Sequence, residues 1–241
     1  MIFPTEPILA VSVILSLPVL FALWTYRKDP SKLGLRIAVH AGTLLAATVT
    51  HLLLAKTWQV SAVLWSALIL FVGGWLIEFV GERTGFPFGR YRYGTYLYPR
   101  LFGVPLAVPV GYMVVLPTVW GVADQLTRGS RGFDFICFAA LAATLWDLIL
   151  DPLFVHWKAW SWEKAGGYFG IPWSNFFGWF IVTATMSLIV NPGPLNTNPL
   201  IRVFTSSCII GIATLLLHLP SQRPGIVATL TVGVLLVLMA R

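Results

Sequence analysis

The composition of the 241-residue chain excludes a water-soluble fold. Hydrophobic residues make up 57% of it, charged residues only 10%, and the mean hydropathy is +0.81, whereas soluble domains carry charge on roughly a quarter of their residues. The net charge of +7 fits the basic loops that flank membrane helices, so we expect no nucleic-acid partner.

Apolar runs of about 20 residues, the length that crosses a bilayer, predict an all-α bundle of about eight transmembrane helices. The first run lacks a small-residue cleavage site and is expected to be a retained helix. We predict one integral membrane domain over residues 1–241, with no separate soluble domain. The helices are expected near 7–26, 35–55, 60–80, 103–123, 133–155, 172–190, 200–219 and 224–240.

The distribution of Lys and Arg predicts the orientation of the bundle. With eight helices, the basic residues concentrate in the loops that follow the first, third and fifth helices. Because cytoplasmic loops are enriched in Lys and Arg, we expect these loops to lie in the cytoplasm and both termini outside it. Cys137 and Cys208 both fall inside apolar helices, a position that favours neither a disulfide framework nor a metal site.

Four of the nine acidic residues form two pairs with i, i+4 spacing at helix ends. Glu78 and Glu82 end the third helix, and Asp147 and Asp151 end the fifth, so each pair shares a helix face. Like charge, membrane depth and the negative end of the helix dipole disfavour their ionised forms. Carboxyl groups that keep a proton can act as general acids, and both pairs are expected to meet at the cytoplasmic face. Pro152 is expected to end or kink the helix at Asp151.

The alternative is that these acids are interfacial. Glu82 would then pair with Arg83 or Arg90 in the headgroup region, and Asp151 would cap a loop. Glu78 and Asp147 lie a full turn deeper, which favours the site over this alternative for the two pairs together.

A loop rich in glycine and aromatic residues follows each acid pair, one near 85–94 and one near 157–172. The order of acid-ended helix, aromatic loop and helix occurs twice, which indicates a parallel internal repeat. Membrane interfaces also collect Trp and Tyr, and this accounts for Trp157, Trp160 and Trp162. Asn175 begins the sixth helix, where it can cap the helix, serve catalysis, or both. His156, beside the second acid pair, is a further site candidate.

Four motifs between residues 75 and 180 resemble the carotenoid-biosynthesis membrane family that contains the carotenoid hydratases of bacteria and archaea. The flanking thirds of the chain contribute helices but no motif. The motifs are Glu78-x-x-Gly81-x-x-x-Gly85-x-Pro87-Phe88-Gly89-x-Tyr91-x-Tyr93, Gly103-Val104-Pro105, Asp147-x-x-Leu150-Asp151-Pro152 and Tyr168-x-Gly170-x-Pro172-x-x-Asn175-x-x-Gly178-Trp179.

The resemblance implies hydration of the isopropylidene end of an acyclic or half-cyclised carotenoid, giving a tertiary alcohol. It implies carotenoid, water and membrane lipid as partners, no cofactor or metal, and a prokaryotic cytoplasmic membrane. Asp147 or Asp151 would donate the proton, the Glu78 and Glu82 pair would position water, and Asn175 would help to orient it; the reverse assignment stays open. Aromatic faces would stabilise the cation. The expected substrate-binding residues are Phe88, Arg90, Tyr91, Tyr93, His156, Tyr168, Trp173 and Trp179.

Three other functions remain open. An intramembrane prenyltransferase also carries Asp-x-x-x-Asp, which holds Mg²⁺ against a diphosphate, but the extended Asn-Asp-x-x-Asp run of that class is missing. A carotenoid end cyclase begins with the same protonation. A proton-coupled transporter would use intramembrane acids as an ion path, although these acids are expected at one membrane face. The sequence leaves open which carotenoid is used, which carboxyl donates, and the oligomeric state.

Overall fold

The computed structural model describes residues 33–95 and 97–219, and this part of the chain is mostly helical. It contains six helices that are long and apolar enough to cross a membrane, so the protein is an integral membrane protein. The helices predicted at 7–26 and 224–240 lie outside the described residues. The six are α1 (Leu33–Leu54), α2 (Val60–Thr84), α3 (Ala107–Thr127), α4 (Phe133–His156), α5 (Trp173–Val190) and α6 (Thr197–His218).

Helix α3 begins at Ala107, four residues later than predicted, because the preceding residues form a hairpin. Strands β2 (Arg100–Leu101) and β3 (Val104–Pro105) pair antiparallel. Phe102 and Gly103 connect the two strands, and both have positive φ, as a tight two-residue hairpin turn requires. Helix α2 in turn runs to Thr84, past the predicted end at 80.

Of the two effects expected of Pro152, an end or a kink of the helix at Asp151, the end is wrong, because α4 continues to His156. Proline lacks the N–H that would bond to the carbonyl four residues earlier, which is that of Leu148. The hydroxyl of Tyr168 donates to this carbonyl over 2.7 Å. The carbonyl freed by Pro152 is therefore satisfied by a side chain, as in other membrane helices that contain proline.

The two aromatic loops pair with each other, which the all-α prediction did not include. Strand β1 (Tyr91–Tyr93) of the first loop runs antiparallel to β4 (Trp160–Trp162) of the second. Tyr91 faces Trp162 across the pair, and Tyr93 faces Trp160. The acid-bearing helices α2 and α4 are thus followed by segments that meet at one end of the bundle.

Helix α3 lies at the centre of the described bundle, in contact with α1, α2, α4 and α6. Its residues Tyr112, Leu116, Val119 and Trp120 are fully buried. Apolar side chains on the outside of the bundle, such as Leu64 of α2, are exposed, as expected for a surface that faces lipid. Helix α5 packs on α4 and closes the side of the bundle where the acids lie.

Candidate active site

A small cavity lies beside the β1–β4 pair, between α2, α3, α4 and α5. Its volume is about 50 Å³, and a single water needs roughly 10–15 Å³ of such space. The cavity can therefore hold a few water molecules or the end of a larger ligand. Its lining residues are Glu78, Phe88, Tyr91, Tyr93, Val108, Asp151, Trp160, Trp162, Asn175 and Trp179.

The carboxyl group of Glu78 accepts hydrogen bonds from three tyrosine hydroxyls. Tyr91 and Tyr93 of β1 both donate to Oε2 over 2.5 Å, and Tyr112 of α3 donates to Oε1 over 2.8 Å. Glu78 is only 6% exposed. Burial, followed by the charge of Glu78, raises the pKa of Tyr91 and Tyr93 above the usual range, so both phenols stay protonated and remain donors. This arrangement suits an ionised carboxylate, which only accepts.

Asn175 joins the two aspartates of α4. Its Nδ2 donates to Asp147 Oδ2 over 2.8 Å and to Asp151 Oδ2 over 2.6 Å, and all three side chains are buried. The residue before the first turn of α5 is Pro172, and no side-chain hydrogen bond caps this helix. Asn175 therefore does not act as a cap, which was one of its two predicted roles.

The ion pairs among the described residues lie away from Glu78, Asp147 and Asp151. They join Arg83 to Glu82, Arg92 to Glu163, and Arg131 to Asp124. The lining residues of the cavity, as described above, include no Lys or Arg. The three buried acids are therefore held by amide and hydroxyl donors in place of cations.

The structure brings most of the predicted residues together. Of the predicted catalytic residues, Glu78, Asp151 and Asn175 line the cavity, and Asp147 is bonded to Asn175 behind it. Glu82 is not with them, because its partly exposed side chain lies 3.5 Å from Arg83. Its contacts match the interfacial alternative.

The predicted substrate-binding residues divide in the same way. Phe88, Tyr91, Tyr93 and Trp179 line the cavity. The others do not: Arg90 and Trp173 are exposed, Tyr168 is bonded to the carbonyl of Leu148, and His156 faces the ring of His218 at 6.0 Å.

Four residues of the site were not predicted as part of it: Tyr112, Val108, Trp160 and Trp162. Tyr112 is the third donor to Glu78, and its ring stacks on Trp179 at 5.0 Å. A tyrosine inside a membrane helix was the available signal, since a buried hydroxyl needs a partner. For the tryptophans the signal was alternation, because Tyr-x-Tyr and Trp-x-Trp both put two aromatic rings on one face of a strand.

The described part of the chain is an integral membrane bundle of six apolar helices. A buried cluster of acids and an aromatic enclosure form a polar site at one end of it. The chain belongs to the carotenoid biosynthesis protein family, whose profile matches residues 39–239. Membership in this family supports a carotenoid-modifying role.

One curated relative carries an enzyme name. The chain is 33% identical over 120 residues to a protein of Haloarcula japonica named bisanhydrobacterioruberin hydratase. The aligned segment covers 48% of this chain and 41% of that relative, less than half of either. No solved structure matches the chain. The name and the family together support a carotenoid-modifying enzyme.

Proposed function

We propose that the protein is a carotenoid hydratase that adds water across a terminal double bond of an acyclic or half-cyclised carotenoid, without a cofactor. The observation that carries the proposal is the pairing of two kinds of buried acid at one cavity. Asp147 and Asp151 share the amide of Asn175, whereas Glu78 is held by three phenols. Hydration needs this division, because one group must give a proton and another must take one.

The aspartate pair is the proposed proton donor. Two buried carboxyl groups that accept from one nitrogen and have no cation beside them cannot both be ionised at low cost. The pair therefore keeps one proton between its members. Asp151 lines the cavity and Asp147 does not, so Asp151 delivers the proton and Asp147 positions it.

Protonation of the inner carbon of the terminal double bond uses the π electrons to form a new C–H bond and leaves a tertiary cation on the carbon that bears the two methyl groups. The rings of Tyr93, Trp160 and Trp179 line the cavity, and aromatic faces attract cations. The Glu78 carboxylate adds a full negative charge on the same cavity. Together they stabilise the cation that a substrate without heteroatoms cannot stabilise for itself.

Water captures the cation with its oxygen lone pair and forms the C–O bond. Glu78 takes the proton that this water loses, so the product is a neutral tertiary alcohol. The proton returns from Glu78 to the aspartate pair through water in the cavity. The overall reaction is therefore the addition of one water to one alkene, which gives one tertiary alcohol. The cavity has room for this water.

Expression in cells that accumulate lycopene tests the proposal. Mass spectrometry of the extracted pigments should show a gain of one or two waters with unchanged visible absorption. Asp151→Asn and Glu78→Gln should lower the yield by about 10²-fold or more, the usual effect of removing a general acid or base. Glu82→Gln, one turn along α2 but outside the cavity, is the matched control and should retain activity. Unchanged pigment mass with the wild-type chain would contradict the proposal.

The alternatives give other results in the same cells. A cyclase would change the absorption of the pigment without changing its mass. A prenyltransferase would release diphosphate and require Mg²⁺, and the cavity offers no described Lys or Arg to hold a diphosphate. A transporter would carry ions in liposomes and form no product. The hydratase is favoured because the buried acids face an aromatic cavity.

We further propose that residues 1–241 form one membrane domain in a prokaryotic cytoplasmic membrane, with the site at its cytoplasmic face. Arg83, Arg90 and Arg92 are exposed near the cavity end of the bundle, where the positive-inside rule expects them. Labelling of single cysteines introduced at Arg92 and at Arg128, in intact and in opened cells, tests the orientation. Labelling at Arg92 in intact cells by an impermeant reagent would contradict it.

A further inference from the structure

A second, larger cavity runs between α1, α3, α4 and α6. Its volume is about 290 Å³, against about 50 Å³ for the acid-lined cavity. Val39 of α1, Val114 of α3, Leu150 of α4 and Ile210 of α6 are typical of its walls. None of the described residues that line it is charged, so it offers no site for a phosphate or a metal ion.

Four polar side chains in these walls donate hydrogen bonds within the protein. The hydroxyls of Thr43, Ser207 and Thr214 each donate to a carbonyl of their own helix, at 2.8, 2.7 and 2.6 Å. The indole N–H of Trp146 donates to Ser207 over 3.0 Å. Because each of these donors is satisfied within the protein, the walls favour a hydrocarbon ligand over a polar one.

The two cavities share a wall formed by Val108, Trp160 and Trp179, which line both. Two neighbouring faces of helix α4 contact the two cavities. Asp147 and Asp151 lie on one face, and Trp146, Leu150 and Phe154 lie on the next. The helix rises about 12 Å over the eight steps from Trp146 to Phe154. This is long enough for an isoprenoid segment to lie beside the acids.

We propose that the apolar cavity binds the polyene chain of the substrate, with Val108, Trp160 and Trp179 admitting only the terminal isopropylidene group to the acids. This inference rests on the proposed hydratase function and says where in the protein the polyene chain of the substrate binds. A methyl-branched hydrocarbon chain without polar groups is the ligand class that suits these walls. The three shared residues decide which carbon atoms reach Asp151.

Gly111 offers a direct test because it lines the cavity and a Cβ added there would have no atom within 4 Å. Gly111→Phe therefore fills the cavity without a clash at the backbone. Ala46→Phe fills it from the facing wall on α1 and guards against a folding defect particular to α3. Ala62→Phe, at an exposed position of α2, adds the same ring outside the cavity and is the matched control.

The variants are expressed in lycopene-accumulating cells, purified in detergent, and assayed for lycopene that remains bound to the protein and for hydrated product. Both cavity variants should lose bound lycopene and product by about tenfold or more, because the added ring occupies space that the polyene chain would need; tenfold corresponds to about 1.4 kcal/mol. Ala62→Phe should match the wild type in both. Asp151→Asn should keep bound lycopene while losing product, which separates binding from chemistry.

The outcomes of the two proposals are distinguishable. Wild-type protein that binds lycopene, loses it in Gly111→Phe and forms no product would support the cavity assignment and contradict the hydratase function. Normal binding and turnover in both cavity variants would overturn the cavity assignment and leave the function standing. Purified wild-type protein that carries phospholipid and no lycopene would overturn the cavity assignment as well.

Discussion

The three tyrosine hydroxyls on Glu78 give this acid a different setting from the aspartates. Phenols are weak acids that donate readily, and the raised pKa of Tyr91 and Tyr93 keeps them protonated at any pH where the protein is assayed. The aspartates share the amide of Asn175 and also interact with each other. At the residue scale, the assignment of proton acceptor and proton donor follows from these partners.

The pH dependence of activity should therefore report the aspartate pair and not the phenols. A general acid works while it is protonated, so kcat/KM should be lost as pH rises through the ionisation of the pair. Tyr93→Phe should lower the rate but keep this alkaline limb at the same pH, because the Tyr93 phenol does not titrate there. A pH–rate profile of both proteins checks this. An alkaline limb that disappears in Tyr93→Phe would show that the phenol is the titrating group.

The sequence singles out Glu78, Asp147 and Asp151 because an acid inside an apolar helix needs a partner or a function, and the structure buries all three. It could not separate Glu82 from them, since i, i+4 spacing puts both glutamates on one face of the helix. Their different surroundings come from β1, which supplies Tyr91 and Tyr93 to Glu78 alone. Contacts of this kind are set by tertiary packing.

At the scale of elements, all six described helices were expected from length and hydropathy, and helix ends were the weaker part. The strands were missed because strands of two or three residues have too short an alternation to stand out. The side-chain hydrogen bond that completes α4 at Pro152 could not be predicted for another reason. It depends on Tyr168, which is 20 residues away from Leu148 and leaves no local trace in the sequence.

The bond from Tyr168 to Leu148 should matter only because Pro152 is present. Tyr168→Phe should lower the free energy of unfolding by about 1–3 kcal/mol, the cost of an unsatisfied buried acceptor. Pro152→Ala restores an N–H that can donate to the carbonyl of Leu148. Tyr168→Phe in the Pro152→Ala background should therefore cost much less. Thermal unfolding of the four proteins in detergent gives this double-mutant cycle. Equal costs in both backgrounds would mean that Tyr168 acts in some other way.

Two adjacent glycines of α2 offer a test of the role of Tyr112. A Cβ at Gly74 would lie 2.9 Å from the ring of Tyr112, whereas one at Gly73 would meet only the flexible end of Met186 at 3.2 Å. Gly74→Ala should displace Tyr112 from Glu78 and lower product formation by about tenfold, as overpacking by one methyl group allows. Gly73→Ala should have little effect. Product yield in the lycopene-accumulating cells distinguishes them, and equal yields would remove Tyr112 from the site.

At the scale of the molecule, the site lies between two similar segments of chain. One consists of α2, β1 and α3 and supplies Glu78 with its tyrosines. The other consists of α4, β4 and α5 and supplies the aspartates with Asn175. The internal repeat stays a prediction, but the antiparallel pairing of β1 with β4 explains how two loops that are distant in sequence enclose one cavity.

The contact between these loops should control activity without controlling the helices. A Cβ at Gly94 would clash with the carbonyl oxygen of Lys158, and a backbone atom cannot rotate away as a side chain can. Gly94→Ala should therefore separate β1 from β4 and reduce product by about tenfold or more, given a cost of roughly 1–3 kcal/mol. Gly167→Ala, in the same region but with no atom within 4 Å of the added Cβ, should behave as the wild type.

Circular dichroism of both purified variants should match the wild type, because helices in a membrane satisfy their own backbone hydrogen bonds without help from the loops. Lost activity with unchanged helix content in Gly94→Ala would mean that the strand pair aligns the two groups of acids. Retained activity would mean that helix packing alone, through the contacts of α2 and α4 with α3, holds Glu78 and Asp151 at one cavity. Loss of both helix content and activity would instead make the loops part of the folding core.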